Sequence, residues 1–544
     1  MMIISSLSIT AQDCEPGEAH IFLDGNSVTA QLRTGGDLWW DGLGNPHYFT
    51  ADQLAKGDST IPLFVGGLWV VGLDESGNVH SATSRYPVGN VTDYWPGPVP
   101  SDGLANATIC SSWDRFFKVN KSEIDAHLSD LAADNVVDTP LESIYSWPSR
   151  GNPYFEDYTG YAMPPDQDLA PFIDVDGDGI YDPNAGDYPA IKGSQSIWWV
   201  YNDVGNNHLA SNTDPVGVEV QVMAYAQSSR DDALDYTTFY DYKVINKWGL
   251  TYPEFYAGFF VDPDLGCYLD DYVGVDSTRN MAYCYNADDL DGVTADGQCP
   301  GATPTYSESL PMVGLSFISS SVSEPALSSC LPRVPNQYVQ PFHTSFQPYN
   351  SIRGLWNDGR PLTYGGDGYN VGTNTDTARY IYPADPANAD GWSACTADLE
   401  INDYQLVMGS GPTTWTTDQT IELTVAAIYV PEVEYPCPSI KPLQDAYDRV
   451  VAALPELPYV PPIITGELLT IDANPTPGIY QVELGPNITE LVVYDLSGKL
   501  CQGQSVTSLR EVIDISEHPV GLYIIAAVAT DGTLATSKKV VKTY

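Results

Sequence analysis

The chain has 544 residues and 43% hydrophobic content, which is enough to build large cores and too apolar for a disordered polymer. Its charge is lopsided, with 23 Lys and Arg against 71 Asp and Glu and a net −48. That excludes nucleic-acid binding through a basic face as a main activity and disfavours adsorption on an anionic membrane, but it suits cations.

The first residues, Met1 to Gln12, hold a short apolar stretch followed by Ala11, a small residue at a cleavage-like position. This predicts the later half of a secretory signal over residues 1–13. The basic region that opens such signals is missing, which leaves open where the natural chain starts. No run of 18 apolar residues occurs, so no transmembrane helix is predicted.

Nine cysteines lie at 14, 110, 267, 284, 299, 330, 395, 437 and 501. None forms a CxxC pair, which argues against zinc ribbons and thioredoxin-type redox sites. In an exported chain their wide spacing points to a few disulfides. The close trio Cys267, Cys284 and Cys299 is the expected place for one, with the pairing undetermined.

The body, residues 14–432, reads as strands and turns. Tyr 36, Gly 46 and Pro 42 set that composition. Strands are predicted at His20–Leu23, Ser27–Arg33 and Leu63–Leu73, with a turn at Asp74–Asn78. A short helix is predicted at Ser122–Leu131, with Ser122 and Asp125 as its cap and Ile124, Leu128 and Leu131 on one face. Further strands are predicted at Val218–Ala226, Thr237–Asn246 and Ile421–Val430.

The sharpest motif is Asp174-Val175-Asp176-Gly177-Asp178-Gly179-Ile180-Tyr181-Asp182, followed by Asp187. Carboxylates at positions 1, 3 and 5 with glycine at 6 suit a chain wrapped around one hard cation. The proposed ligands are Asp174, Asp176, Asp178, the carbonyl of Ile180, Asp182 and Asp187. Position 12 is Ala185 rather than a bidentate glutamate, so the segment is similar to the calcium loops of thrombospondin type 3 or dockerin-like repeats. The expected cofactor is Ca2+, in a structural role. The alternative is an acidic turn held by Asx hydrogen bonds.

A second acidic group, Asp262, Asp264, Asp270, Asp271 and Asp276, fits no loop signature. It reads either as another calcium site or as solvated strand ends.

The sequence nominates no catalytic residue. None of its seven histidines forms HExxH, and GxSxG, Walker and GxGxxG patterns do not occur. A glycosidase needs only two placed carboxylates, so a hydrolase stays open. Trp39, Trp40, Trp69, Trp95, Trp113, Trp198 and Trp199 read as core rather than as sugar platforms.

Residues 433–470 read as a Pro-rich linker with one amphipathic helix through Leu443, Tyr447, Val450, Val451 and Leu454. Beyond it the charge changes: 471–544 carries five basic and eight acidic residues, against −45 on the rest. That shift marks a separate module.

The module contains, in order, Asn474-Pro475, Gly478, Leu491-Val492-Val493-Tyr494-Asp495-Leu496-Ser497-Gly498-Lys499, Ile513-Asp514-Ile515, Gly521-Leu522-Tyr523-Ile524-Ile525 and Lys538-Lys539-Val540-Val541-Lys542. It resembles the type A C-terminal sorting domain of the Bacteroidota type IX (Por) secretion system. The resemblance implies a small immunoglobulin-like sandwich and passage across both membranes by way of the type IX machinery. It also implies release or attachment to surface lipopolysaccharide. Segments of the body, such as Gly35-Gly36-Asp37-Leu38-Trp39-Trp40-Asp41 and Val261-Asp262-Pro263-Asp264-Leu265-Gly266, are similar to uncharacterised surface proteins carrying that domain.

The sequence therefore predicts an all-β protein with few short helices. Its body would be a β-sandwich of one or two domains, followed by a small sandwich at 471–544. The expected place is the cell surface or the extracellular space. The leading function is structural or adhesive, through self-association or a glycan. A secreted polysaccharide-active hydrolase and a carbohydrate-binding protein are the alternatives.

Overall fold

The computed structural model describes residues 14–86, 89, 91–164, 167–294, 297–300, 303–333, 344–369, 376–397, 399, 403–417, 419–460, 469–471, 474–484, 488–496, 498–506, 508, 510–529 and 534–543. The expected signal segment, Pro461 and Pro462 of the expected linker, and Ser497 of the sorting motif lie outside them. The chain divides into two compact units, Met1–Glu123 with Leu141–Tyr459 and Ile124–Pro140 with Val460–Tyr544.

The first unit is a sandwich of two antiparallel sheets. One runs in the order His20–Leu23, Val28–Arg33, Asp37–Leu38, Val65–Leu73, Tyr252–Asp262, Gln405–Trp415 and Ser329–Arg333. The other runs Asp271–Asp276, Met281–Asn286, Met312–Ser320, Thr420–Val430, Thr237–Asn246, Val218–Ala226, Gln195–Asn202 and Trp95–Pro96. At one end of each list a hairpin pairs His20–Leu23 with Val28–Arg33 and Asp271–Asp276 with Met281–Asn286, while neighbours such as Val65–Leu73 and Tyr252–Asp262 come from distant parts of the chain.

Aromatic side chains fill the space between the sheets. Trp39 Nε1 donates to the Tyr240 hydroxyl at 2.8 Å, Tyr48 meets Thr238 at 3.2 Å, and Phe259 lies 6.3 Å from the Tyr242 ring. Such rings bury a large apolar area, and the polar tips of Trp39, Tyr48 and Tyr240 find partners, which suits tyrosine and tryptophan to this core.

The outer faces are covered as well, so central strands such as Val65–Leu73 read as continuous hydrophobic runs rather than as alternations. On the first sheet the short helix Phe346–Ile352 brings Tyr349 and Ile352 against Trp69, Tyr256 and Phe260. On the second, the helix Lys441–Ala453 buries Leu443, Ala446 and Val450. Leu443 lies over Gly314, where an added Cβ would come within 3.0 Å of it, so the strand beneath needs a glycine at that point.

Three disulfides tie the loops: Cys14–Cys110, Cys267–Cys299 and Cys395–Cys437. The close trio therefore pairs its outer members, and Cys284 stays as a buried thiol, as does Cys330, with Cys501 half-buried. The predicted helix at Ser122–Leu131 extends over Lys121–Asp134. Its start differs from the expected cap: Glu123, not Asp125, accepts from the Asn120 amide at 2.7 Å. A Glu at this place reaches back to the chain entering the helix more easily than an Asp two residues further on.

The second unit contains a three-stranded sheet, Leu469–Ile471, Ile479–Leu484 and Arg510–Asp514. Beside it is a four-stranded one, Leu500–Ser505, Ile488–Asp495, Gly521–Ala529 and Leu534–Lys542. Tyr480, Val482, Leu491, Val493, Ile513, Ile525 and Val540 form their common core. Asp495 closes a hairpin by accepting from the Lys499 amide at 3.0 Å, with Gly498 at φ 81°, a left-handed conformation that glycine adopts without cost.

Candidate metal centre

The aspartate loop hangs from a ribbon of two strands, Phe172–Ile173 paired with Tyr188–Pro189, which holds its ends one strand spacing apart. Tyr181 anchors the middle. Its ring is buried, its amide donates to the Arg150 carbonyl at 2.8 Å, and its hydroxyl donates to the Ile144 carbonyl at 2.8 Å. Gly177 and Gly179 sit at φ 78° and 79°, so the backbone turns where side chains would be strained.

Asp187 closes the loop. It is fully buried, and its two oxygens accept from the amides of Val175 at 2.8 Å and Asp182 at 2.9 Å. Asp174 accepts from Gly177 at 2.7 Å and Gly179 at 2.8 Å. Those amides hold the Asp174 carboxyl below its usual range. One oxygen each of Asp174, Asp176 and Asp187 lies within 4.8 Å of the others. Burial raises the Asp187 carboxyl, and the charges of Asp176 and Asp174 raise it further.

The other proposed ligands are placed differently. Asp178 and Asp182 stand outside that convergence, each accepting from an amide two residues on, Ile180 at 2.7 Å and Asn184 at 2.9 Å. The Ile180 side chain is 46% exposed. Calcium binds oxygens at about 2.3–2.6 Å, so oxygens sharing one ion lie at most about 5 Å apart. The donor set of Asp174, Asp176 and Asp187 fits that limit.

The second acidic group does not act as one. Asp276 accepts from Thr278, Arg279 and Gln444 at its own strand end. Asp270 and Asp291 hold loop amides beside Cys267, at Gly292 and at Cys267 itself. The Cys267 sulfur is spent in a disulfide, so it is no ligand. Asp262 and Asp264 instead meet Asp403, a residue that the sequence reading missed.

A further buried cluster carries no sequence signature at all. The His208 ring faces the Ser81 carbonyl at 2.7 Å through Nδ1 and the Asp203 carbonyl at 2.6 Å through Nε2. Carbonyls only accept, so both nitrogens carry protons and the ring is an imidazolium. The carboxylates of Asp93 and Asp203 flank it at 4.0 and 3.9 Å. Burial works against this charge, but the two aspartates and the carbonyls raise the His208 pKa above its ordinary value.

Two surface clefts lie on the body. One of about 630 Å³ is lined by Asn78, Asn206, Asn207, Asn212, Asp214 and Phe346, among others. One of about 470 Å³ includes Glu15, Glu18, Asp37 and Asp41. Asp37 is already bound to Arg33 and Trp40. Ten of the twelve tryptophans are buried, and Trp248 and Trp392 are half-buried. The indoles therefore form core, not an exposed sugar platform.

Residues 473–543 match the family described as "Secretion system C-terminal sorting domain". The chain is thus sorted by type IX secretion to the cell surface or the extracellular space. No helix among the described residues is long and apolar enough to cross a membrane. No curated protein matches the chain. Among solved structures, a polysaccharide lyase aligns at 7% identity with a TM-score of 0.17, over 59% of this chain and 34% of its own. The alignment thus spans about a third of that protein's length.

Proposed function

We propose that this exported chain is a calcium-stabilised structural or adhesive component of the cell surface. The observation that carries the reading is the meeting of Asp174, Asp176 and Asp187, three carboxylates drawn together with no lysine or arginine anywhere in the loop. Like charges at that spacing repel, and a divalent ion reverses the sign of the interaction. Calcium would fix the ribbon of Phe172–Ile173 and Tyr188–Pro189 and the turns that Tyr181 ties to the body. A site of about 10⁻⁴–10⁻³ M affinity, common in extracellular modules, would be filled outside the cell. Two large antiparallel sheets, with loops tied by three disulfides, make a rigid body suited to bearing contacts rather than to closing on a small substrate.

The test is light scattering of the full chain in millimolar calcium and in chelator. The reading predicts larger assemblies in calcium that fall apart on chelation. Release of new chain ends from a polysaccharide, at a rate indifferent to chelator, would replace it with a hydrolase or lyase reading.

A further inference from the structure

Asp262 ends the strand Tyr252–Asp262, and Asp403 lies just ahead of its neighbour, the strand Gln405–Trp415. Pairing of Val261 with Leu406 brings these distant residues to one sheet end. One carboxylate oxygen each of Asp262, Asp264 and Asp403 lies within 4.8 Å of the others. Asp262 is 4% and Asp264 9% exposed.

The donors are missing where they would be expected. Tyr86 donates its hydroxyl to Asp262 Oδ2, but Asp262 Oδ1 is buried with no hydrogen-bond partner. No side-chain hydrogen bond reaches Asp264 from the described residues. The second sheet adds two more such acceptors. Asp271 Oδ1 and Asn286 Oδ1 are buried and unpartnered, on residues that sit directly opposite each other in the pair Asp271–Asp276 and Met281–Asn286. Cys284, two residues from Asn286 and therefore on the same face, feels the charges of Asp271, Asp264 and Asp262. That face thus looks onto the carboxylates. The charged groups acting on Asp262, Asp264 and Asp271 are all other carboxylates. Burial and this repulsion push all three well up, and burial pushes Asp403 up to about 6.

We propose that Asp262, Asp264 and Asp403 hold a second calcium ion, separate from the 174–187 loop, at the sheet end faced by Asp271 and Asn286. Buried acceptor oxygens such as Asp262 Oδ1, Asp271 Oδ1 and Asn286 Oδ1 are costly unless a cation satisfies them. The mutual spacing matches oxygens on one ion at about 2.3–2.6 Å. Carboxylate and amide oxygens are hard ligands, and a largely dry set favours calcium over magnesium, which keeps several of its waters. The ion pins the first sheet to the edge of the second, beside the Cys267–Cys299 disulfide.

The test counts ions. Full-length protein stripped with chelator is dialysed against radioactive calcium, as wild type, Asp176→Asn, Asp264→Asn and the double variant. The proposal predicts that Asp264→Asn loses one ion per chain, whatever the loop does, and that any ion lost with Asp176→Asn is a different one. It also predicts that Asp264→Asn melts above wild type in chelator, where a repelling charge has gone, and below it in calcium. An ion count unchanged in a folded Asp264→Asn overturns the proposal. If that variant does not fold, Asp403→Asn takes its place in the same count: loss of one ion per chain supports the proposal, and an unchanged count overturns it.

Discussion

Replacing His208 by glutamine removes a buried cation while leaving the cavity nearly filled. Asp93 accepts from the amides of Thr83, Ala210 and Ser211, and Asp203 from those of Val216, Gly217 and Val218. These amides satisfy both carboxylates, and His208 lies between them, 4.0 Å from Asp93 and 3.9 Å from Asp203. Removing one partner of a buried charge group costs about 3–5 kcal/mol. For a body of roughly 430 residues, an unfolding entropy of about 2 cal/mol/K per residue makes 1 kcal/mol worth about 1 °C. His208→Gln should therefore melt about 3–6 °C below wild type at pH 5.5.

The sign of the pH dependence follows from the raised pKa. The stabilisation is fully present below the unfolded value of about 6.5 and is lost as pH rises through the higher folded value. The assay is scanning calorimetry of wild type and His208→Gln across pH 5 to 10, subtracting one from the other so that other titrations cancel. The gap should narrow above about pH 6.5. A gap that stays constant across that range would show that the ring is neutral and refute the argument.

Two further outcomes follow from the packing and the tail. Leu443→Ala should cost about 2–5 kcal/mol, because the leucine is fully buried over a strand whose Gly314 cannot refill the space, and chemical denaturation measures it. A chain cut before residue 473 should accumulate in the periplasm and vanish from the surface and the medium, as read by cell fractionation.

Local pattern made much of this fold legible. Thr237–Asn246 and Val218–Ala226 form strands over the predicted residues because alternation or an unbroken apolar run survives in them. The tryptophans of the body pack as core, and the sorting module follows from its ordered landmarks. The 174–187 motif was visible because its residues are neighbours in the chain. What was hidden depends on pairing at long range. Asp403 reaches Asp262 only because two strands far apart in sequence lie side by side. Asp93 meets Asp203 and His208 only because two loops far apart in sequence come together, so the cluster has no spacing to read. The Cys267–Cys299 link, likewise, depends on which cysteine the strand Met281–Asn286 turns inward.

Calcium dependence is the central claim, and melting of the full chain against calcium concentration tests it most directly. One site of about 10⁻⁴–10⁻³ M affinity should add about 1.4–2.7 kcal/mol at 10 mM calcium, a rise of about 1.5–3 °C. The melting temperature should climb with the logarithm of calcium above chelator, and Asp176→Asn should blunt that climb. A melting temperature flat from chelator to 10 mM calcium would contradict the account and leave the aspartates as a solvated turn.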